Sequence, residues 1–362
     1  MNERYICSQC GNVFSIEIPV WRCTCNGLLT LDYQPQSSHS YTSSVHPLTR
    51  YRDWLPSTQH WKILSMGESV TPMFPLNYKG KEIWVKNEMM FPSSSYKDRG
   101  SMLLMAYLHH YGVKTFVEDS SGNAGASLAA YAARYNIHAE IYAPKQSFSP
   151  KLNQIQAYGA VLHAIEGTRD EVAQIALEAA SDTFYASHVY QPFFNAGIQT
   201  LAYEWAEQIT DLSQAIILLP AGNGSLLNGV LQGFSFLHKH GMINCIPKII
   251  AVQSENVSPL FHAFREEKPQ AYSSTIAEGI ASKSPARVQE MVSGLREIGG
   301  YVLTVSEEEI INHARQLWQM GFFVEHTSAV PFAAIHKLHE EDVSKKIYTL
   351  FSSSGLKAIH KV

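Results

Sequence analysis

The sequence has little charge, few cysteines and no long apolar run. Charged residues make up 17% of its 362 residues, and 28 basic against 32 acidic residues leave a net charge of −4. A chain without a basic excess is not expected to bind nucleic acid or an anionic membrane surface. The longest aliphatic runs, such as residues 216–219, are far shorter than a membrane span, and no apolar signal segment follows Met1. We therefore expect a cytoplasmic protein with no nucleic-acid or membrane partner.

Four of the five cysteines crowd the first 25 residues, as Cys7, Cys10, Cys23 and Cys25. Two close pairs about a dozen residues apart can supply four thiolates to one tetrahedral zinc ion. The second pair is Cys-x-Cys, which is tighter than usual, so a ribbon without metal is the alternative. Such a zinc would be structural, because four protein ligands leave no open position for a substrate. The spacing predicts a zinc-ribbon-like extension over residues 1–30.

Beyond residue 61, apolar strand patterns alternate with helical ones, and hydrophobic residues make up 45% of the chain. This alternation predicts an α/β fold with parallel sheets covered by helices. The predicted strands are 83–86, 114–118, 138–143, 160–165, 215–219, 248–252 and 347–351. The predicted helix signals are the segments 101–111 and 124–135, a cap at Ser149 and capping boxes at 168–171 and 306–309. In such folds ligands bind at the carboxyl ends of strands, where loops lead into helices.

Two of these loops suggest a nucleophile and an anion site. Lys97 follows the polar segment 92–96 and stands where an apolar helix begins, so its amine could be partly buried and act as a nucleophile. Taken alone, a lysine at such a position is ordinarily a solvated surface residue. The second loop opens a helix after a strand, where successive N–H groups can bind a carboxylate, although a serine-capped helix start would look the same. Its residues are Ser120, Ser121, Gly122 and Asn123.

The third loop has glycines that let the backbone close on a phosphate at a helix N-terminus. Its residues are Gly222, Asn223, Gly224, Ser225 and Leu226. A dinucleotide-binding loop would need glycine at 227, where the chain has Leu227, so a nicotinamide dehydrogenase is not favoured.

The fourth loop, residues 350–357, contains three serines after the last predicted strand. A serine hydroxyl such as that of Ser352 can donate a hydrogen bond to a ring nitrogen. A frayed polar segment is the alternative for this loop alone.

Together, in this order, the four loops resemble those of the fold type II pyridoxal-phosphate enzymes, the tryptophan synthase β superfamily. The individual motifs resemble those of threonine synthases. Residues 95–100 read S-Y-K-D-R-G, where threonine synthases typically have S-F-K-D-R-G. Residues 67–72 are similar to the family's G-E-G-x-T-P motif. Residues 85–88 resemble its V-K-N-E motif, and residues 355–357 resemble its G-L-K motif. A cysteine-bearing N-terminal ribbon also occurs in some threonine synthases.

The resemblance implies a role for each loop. Lys97 would be the Schiff base lysine that bonds covalently to pyridoxal 5'-phosphate and later moves the substrate α-proton. Asn123 would hydrogen-bond the phenolic oxygen of the cofactor ring, and Ser352 would face the pyridine nitrogen. Residues 222–226 would bind the cofactor phosphate, and residues 120–123 the substrate carboxylate.

The resemblance also implies the architecture, which is two three-layer α/β/α domains with the cofactor between them, in a homodimer. The large domain would comprise residues 31–98 and 196–362, and a small mobile domain residues 99–195.

The motifs are less specific for the substrate than for the family. A threonine synthase, which converts O-phospho-L-homoserine and water to L-threonine and phosphate, needs a second anion site. Candidates for it are Lys151, Arg99, Lys86 and Asn153, each of which could also be a plain surface residue. Many short threonine synthases carry a basic residue where this chain has Val161.

Two alternatives remain for the activity. One is a lyase that releases ammonia from threonine, serine or diaminopropionate, or a β-replacing synthase such as a cysteate synthase. The other is a catalytically silent binding protein, against which the intact Lys97 argues.

Overall fold

The computed structural model describes residues 3–37, 41–56, 60–145, 150–268 and 271–361. These residues form two compact units. The first unit contains the described residues of 1–70, 91–200 and 360–361, and the second contains residues 71–90 and those described within 201–359. The division into an extension, a large domain and a small domain that the resemblance implies stays a prediction.

The strands and α-helices alternate through most of the chain. The strands are β1 (Arg4–Cys7), β2 (Val13–Ser15), β3 (Leu29–Asp32), β4 (Met73–Tyr78), β5 (Lys81–Asn87), β6 (Thr115–Glu118), β7 (His138–Pro144), β8 (Val161–Ile165), β9 (Phe184–Tyr185), β10 (Ala215–Pro220), β11 (Lys248–Ser254), β12 (Tyr301–Val305) and β13 (Lys346–Phe351). The helices are α1 (Pro47–Arg50), α2 (Lys97–His110), α3 (Asn123–Tyr135), α4 (Pro150–Ala157), α5 (Arg169–Ala179), α6 (Pro192–Gln208), α7 (Ser225–Lys239), α8 (Pro259–Phe264), α9 (Val288–Glu297), α10 (Glu307–Gln319) and α11 (His326–Ala334). None of the helices in the described ranges is long and apolar enough to cross a membrane.

The first unit is built on a four-stranded parallel sheet in the order β8-β7-β6-β9. Helices α2 and α3 lie beside each other, and their side chains from Met102 to Leu108 and from Ala124 to Ala132 are buried. Because all four strands run the same way, the loops that follow them meet at one edge of the sheet.

A small antiparallel sheet in the order β2-β1-β3 carries the N-terminal cysteines and packs within the same unit. The Tyr5 hydroxyl donates to the Tyr107 hydroxyl at 2.9 Å, and Tyr107 donates to the Ile16 carbonyl at 2.9 Å. The Tyr107 ring also stacks on Phe193 with centroids 4.0 Å apart. Buried aromatic contacts therefore fix the ribbon to helix α2 and to the start of α6.

The second unit is built on a six-stranded sheet in the order β12-β11-β10-β13-β5-β4. Every residue of the apolar strand β10 is buried, as expected for a central strand covered on both faces. Only the edge strand β4 is antiparallel, joined to β5 through Lys79 and Gly80, which both have positive φ. Two consecutive left-handed residues form the tight turn that a two-residue hairpin needs.

The α/β prediction is confirmed, and both capping boxes are present, at Thr168 with Glu171 and at Ser306 with Glu309. Helix α2 begins at Lys97, four residues before the predicted start, so the conspicuous lysine stands in its first turn. The predicted cap Ser149 lies outside the described residues. The expectation of parallel sheets beyond residue 61 is corrected at β4, which is antiparallel to β5.

Candidate active site

The loop before Lys97 is held by the neighbouring carboxylate of Asp98, which is fully buried. Asp98 accepts hydrogen bonds from the Ser93 main-chain N–H at 2.7 Å, from the Ser93 hydroxyl and from the Ser127 hydroxyl at 2.6 Å. Ser127 belongs to α3, so one carboxylate ties the loop to the two adjacent helices α2 and α3. Within the loop Ser94 adopts a positive φ of 60°, which this network holds in place.

The Lys97 side chain is half-buried against aromatic rings. Its Nζ lies 5.1 Å from the Tyr96 ring centroid and 5.7 Å from that of Phe194. Gly100 permits this approach, because a Cβ there would come within 2.6 Å of the Phe194 ring. The sequence thus places the Lys97 amine against two aromatic rings at the start of α2.

The segment 120–123 forms the loop from β6 into α3, in the same unit. Gly122 is the N-cap residue of α3, and the Gly122 N–H donates to the Ser120 hydroxyl at 3.3 Å. A Cβ at Gly125 would collide with the Ser120 carbonyl, so only glycine lets the loop fold back onto the first turn. The helix start offers main-chain N–H donors, which suit a carboxylate.

A buried acid and a buried histidine in this unit were not predicted from the sequence. Glu118, the last residue of β6, accepts or donates a hydrogen bond at 2.8 Å between its Oε1 and Nδ1 of His188. Burial, together with the charge of Asp119, raises the pKa of Glu118, although Lys97 and Arg169 oppose this shift. Burial and the same two cations lower the pKa of His188. Both groups are thus held away from their charged forms.

The glycine-containing loop, residues 222–226, lies in the second unit, where it leads from β10 into α7. Gly224 has a φ of 98° and is the N-cap of α7, and a Cβ on Gly222 would lie 2.7 Å from the Ile280 Cα. Asn223 accepts a hydrogen bond from the Ser282 hydroxyl at 2.5 Å, which fixes the loop. Helix α7 has 15 residues and follows two positions at which the backbone requires glycine. The main-chain N–H groups at its N-terminus can bind a phosphate group.

Ser352 follows β13 in the second unit and is 2% exposed. Its hydroxyl lies 3.0 Å from the hydroxyl of Ser328, which also accepts the Ser352 main-chain N–H at 3.0 Å. Ser328 was not predicted as a site residue, since nothing in the pattern of α11 links it to the last strand.

The candidates for a second anion site fall in different environments. The Lys86 side chain is fully buried and its Nζ lies 2.7 Å from the Glu204 carboxylate, so its interpretation as a surface residue is wrong. Arg99 is also fully buried and donates to the Thr200 hydroxyl at 3.0 Å. Lys151 is 4% exposed on α4, whereas Asn153 is exposed.

The four N-terminal cysteines come together in the first unit, where Cys7 ends β1 and the other three lie in the segments between the strands of the small antiparallel sheet. The Sγ atoms of Cys7, Cys10, Cys23 and Cys25 all lie within 4.8 Å of one another. The Sγ atoms of Cys10 and Cys25 are 3.3 Å apart, and those of Cys7 and Cys25 are 3.5 Å apart. Four thiols at these distances are a donor set of the kind that zinc prefers.

The chain is similar to proteins that carry threonine synthase as their name. It is 29% identical to the threonine synthase of Methanocaldococcus jannaschii over 97% of this chain and 92% of that one. It is 27% identical to the threonine synthase of Methanosarcina acetivorans over 92% of this chain and 86% of the relative.

Solved structures show the same fold. Serine racemase from Dictyostelium discoideum matches with a TM-score of 0.66 and 25% identity, covering 79% of this chain and 92% of the racemase. Threonine deaminase isoform 2 from Solanum lycopersicum matches with a TM-score of 0.70 and 19% identity, covering 95% of this chain and 94% of that structure. The model of the pyridoxal-phosphate dependent enzyme family matches residues 64–353, and the chain therefore belongs to this family of fold type II enzymes.

Proposed function

We propose that the protein is a threonine synthase, which converts O-phospho-L-homoserine and water to L-threonine and phosphate. The observation that carries this proposal is the similarity to the threonine synthase of Methanocaldococcus jannaschii along 97% of the chain. The motifs around Lys97 and in residues 67–72 support the same assignment.

In this proposal Lys97 holds the cofactor and acts as the base at the substrate α-carbon. When bound, pyridoxal 5'-phosphate withdraws electrons from the bonds of that carbon. Asn123 orients the ring through its phenolic oxygen. Ser352, whose hydroxyl carries no charge, leaves the ring nitrogen uncharged, which favours elimination of a leaving group over wide delocalisation into the ring.

Two helix starts bind the anionic groups in this proposal. Residues 222–226 hold the cofactor phosphate with main-chain N–H groups, since Gly222 has no room for a side chain and Gly224 requires a left-handed backbone. Residues 120–123 bind the substrate carboxylate, for which Gly125 permits the necessary fold of the loop.

The substrate phosphate needs a further cation, and we assign this role to Lys151. Its side chain is 4% exposed, so its charge is little screened by water. Replacing Lys151 by glutamate would reverse the charge at this point.

The experiment is to incubate the cofactor-loaded protein with O-phospho-L-homoserine and to measure phosphate and amino acids together. Phosphate and threonine in equal amounts, with both lost in Lys151→Glu, are expected. An absence of phosphate release, with ammonia and a 2-oxo acid formed from threonine, serine or diaminopropionate, would contradict the proposal. A β-replacing synthase such as a cysteate synthase would release phosphate only from phosphoserine.

We further propose that Cys7, Cys10, Cys23 and Cys25 hold one structural zinc ion. Their Sγ atoms are mutually within 4.8 Å, and Gly27 leaves the space beside Cys7 and Cys25 that a side chain would fill. Metal analysis of the purified chain is expected to give one zinc per protein. A Cys10→Ser variant should bind it more weakly and unfold more readily, because structural zinc contributes to folding. A chain that contains no zinc and takes up none would contradict this.

A homodimer and the closure of a small mobile domain, residues 99–195, remain proposals that derive from the family resemblance. A cytoplasmic location remains a proposal that derives from the sequence. Sedimentation of the loaded protein tests the first of them, with a mass of twice 40.5 kDa expected.

A further inference from the structure

A buried hydrogen-bond network in the second unit joins the start of α11 to the segment that follows β13. The Glu325 N–H donates to the Ser353 carbonyl at 3.2 Å, and the Ser353 hydroxyl donates to the Glu325 carboxylate at 2.5 Å. Ser328 and Ser352 lie within the same network and are 0% and 2% exposed. Their hydroxyl groups are therefore shielded from water, and their hydrogen bonds must be made within the protein or with a ligand.

The hydroxyl oxygen of Ser328 accepts two main-chain N–H groups. The Ser352 N–H donates to it at 3.0 Å, and the Ser353 N–H donates to it at 3.4 Å. A hydroxyl group has two lone pairs with which it can accept and one proton that it can donate. Because both lone pairs of Ser328 are engaged, its oxygen has no place for a further donor.

The proton of Ser328 has two acceptors within reach. The Ser352 Oγ lies 3.0 Å from the Ser328 Oγ, whereas the Ser353 carbonyl oxygen lies 3.4 Å from it. The Ser353 carbonyl also accepts the Glu325 N–H already. Hydrogen bonds between oxygens are usually about 2.5–3.0 Å long, which favours the contact with Ser352. Ser328 is therefore the donor in its contact with Ser352, and Ser352 is the acceptor.

This direction leaves the proton of Ser352 available to a ligand. Within the part of the chain that the structure describes, the Ser328 hydroxyl is the only hydrogen-bond partner of the Ser352 hydroxyl. Since Ser328 cannot accept a third donor, the Ser352 proton has no acceptor in the network. A buried donor without an acceptor is unfavourable, so a ligand that brings an acceptor to this point is favoured.

We propose that Ser328 is a positioning residue that makes Ser352 a hydrogen-bond donor toward the ring nitrogen of the cofactor. Ser328 does so by donating its own proton to Ser352 while its lone pairs are occupied by main-chain N–H groups. A ring nitrogen that accepts the Ser352 proton has its lone pair free for that bond, so it carries no proton of its own. The proposal rests on the placement of Ser352 beside the ring nitrogen in the proposed function.

The first test observes the ring nitrogen and needs no substrate. The whole protein is loaded with pyridoxal 5'-phosphate that contains ¹⁵N in the ring, and the ¹⁵N chemical shift shows whether this nitrogen carries a proton or accepts a hydrogen bond. We expect an uncharged, hydrogen-bonded nitrogen in the parent protein and a changed shift in Ser352→Ala. A protonated nitrogen in the parent protein would overturn the proposal, because Ser352 would then be the acceptor. An unchanged shift in Ser352→Ala would overturn both the proposal and the placement of Ser352.

Substitutions at Ser328 test its own role in the same spectrum. Ser328→Ala removes the donor, and we expect the ring ¹⁵N signal to move toward that of a protonated nitrogen, because Ser352 is then free to accept. Ser328→Thr keeps the hydroxyl group and is expected to keep the parent shift. If Ser328→Ala does not fold, Ser328→Cys puts a weak donor of similar size in its place and should move the signal in the same direction.

The matched control is Ser353→Ala. This variant removes a buried hydroxyl group of the same segment, but one that donates to Glu325 and not to Ser352. We expect it to leave the ring ¹⁵N shift unchanged. If Ser352→Ala changes the shift and neither Ser328→Ala nor Ser328→Cys does, Ser328 does not direct the Ser352 hydroxyl, and the proposal is overturned.

The second test uses the loaded enzyme with O-phospho-L-homoserine. Ser328→Ala is expected to lower kcat by about five- to tenfold, the scale of one hydrogen bond, with KM little changed, because Ser328 acts through Ser352. A lowered kcat without a change of the ring ¹⁵N shift would show a merely structural role and overturn the proposal. If the parent protein releases no phosphate but gives the expected ring signals, the proposed substrate fails and the role of Ser328 is supported.

Discussion

Lys86 and Lys97 both belong to motifs that the resemblance singles out, yet the structure gives them opposite surroundings. Lys86 lies on β5 with its Nζ 2.7 Å from Glu204, 3.0 Å from the Thr71 carbonyl and 2.8 Å from Gln208 Oε1. Lys97 stands at the start of α2 with its Nζ over two aromatic rings.

The difference shows what each of the two lysines does. The ammonium group of Lys86 neutralises a buried carboxylate and joins β5 to helix α6, so its charge is part of the fold. The amine of Lys97 is placed over apolar rings in a loop fixed by Asp98, so its position is defined by its neighbours. The first lysine serves stability, and we assign chemistry to the second.

The largest effect is expected from Lys97→Ala. Loss of the covalent link and of the base is expected to lower kcat by about 10³-fold or more, because both nucleophilic and acid–base contributions disappear. The free energy of unfolding should change by less than about 1 kcal/mol, since the side chain is half-buried. Steady-state kinetics and denaturant unfolding measure the two quantities. If Lys97→Ala keeps its activity, the assignment of the chemistry to Lys97 is contradicted.

Lys86→Met is expected to act on stability. The substitution leaves the buried Glu204 without its cation, and breaking a buried ion pair costs about 3–5 kcal/mol. Urea unfolding followed by circular dichroism gives the value, and the double variant Lys86→Met/Glu204→Leu should recover most of it. A loss of activity with unchanged stability would show that Lys86 belongs to the site instead.

Gly122 and Gly125, at the start of α3, differ in the space that a side chain would have. A Cβ at Gly125 would collide with the Ser120 carbonyl, whereas one at Gly122 would only reach the Ser120 Oγ at 3.8 Å. We expect Gly125→Ala to lower the free energy of unfolding by about 2 kcal/mol, within the range for an overpacked site, and Gly122→Ala to change it far less. Thermal unfolding of both variants tests this. Equal effects would contradict the placement of the loop.

Glu68, in the motif at residues 67–72, extends the comparison to a buried acid that accepts several hydrogen bonds. It accepts hydrogen bonds from the Ser65 hydroxyl at 2.5 Å, the Met66 N–H at 2.8 Å and the Tyr131 hydroxyl at 2.7 Å. Burial opposes ionisation, but hydrogen bonds from His46, Ser65 and Tyr131 outweigh it and lower the pKa of Glu68 to about 2.

The lowered pKa gives a pH dependence of defined sign. The ionised carboxylate stabilises the fold fully above pH 4.5, the ordinary value, and this contribution is lost as the pH falls through about 2. It amounts to at most about 3–4 kcal/mol, at about 1.4 kcal/mol for each unit of pKa. Glu68→Gln should therefore flatten the fall in stability over this range, measured by urea unfolding at several pH values. An identical fall in the variant would contradict this.

Local patterns were enough to predict most of the α/β body. The apolar strand β10 and the capping boxes at Thr168 and Ser306 each depend on residues close in the chain, and the structure has them where they were predicted. Strand β9 has two residues and no alternating pattern, so it was missed.

Contacts between distant residues could not be predicted in the same way. Glu118 and His188 are 70 residues apart, and they meet because β9 pairs with β6 in one register. Likewise, the contact of Ser328 with Ser352 depends on where α11 lies against β13. A single sequence shows which residue types follow a strand, but not which strands are neighbours.

The measurement that tests the central claim most directly is to locate the cofactor on the chain. The loaded protein is reduced with borohydride, which fixes the cofactor to the amine that holds it, and its peptides are analysed by mass spectrometry. We predict that the added mass lies on the peptide containing Lys97 and that the peptide containing Lys86 is unmodified. Cofactor on Lys86, or on another lysine, would contradict the assignment of the two lysines.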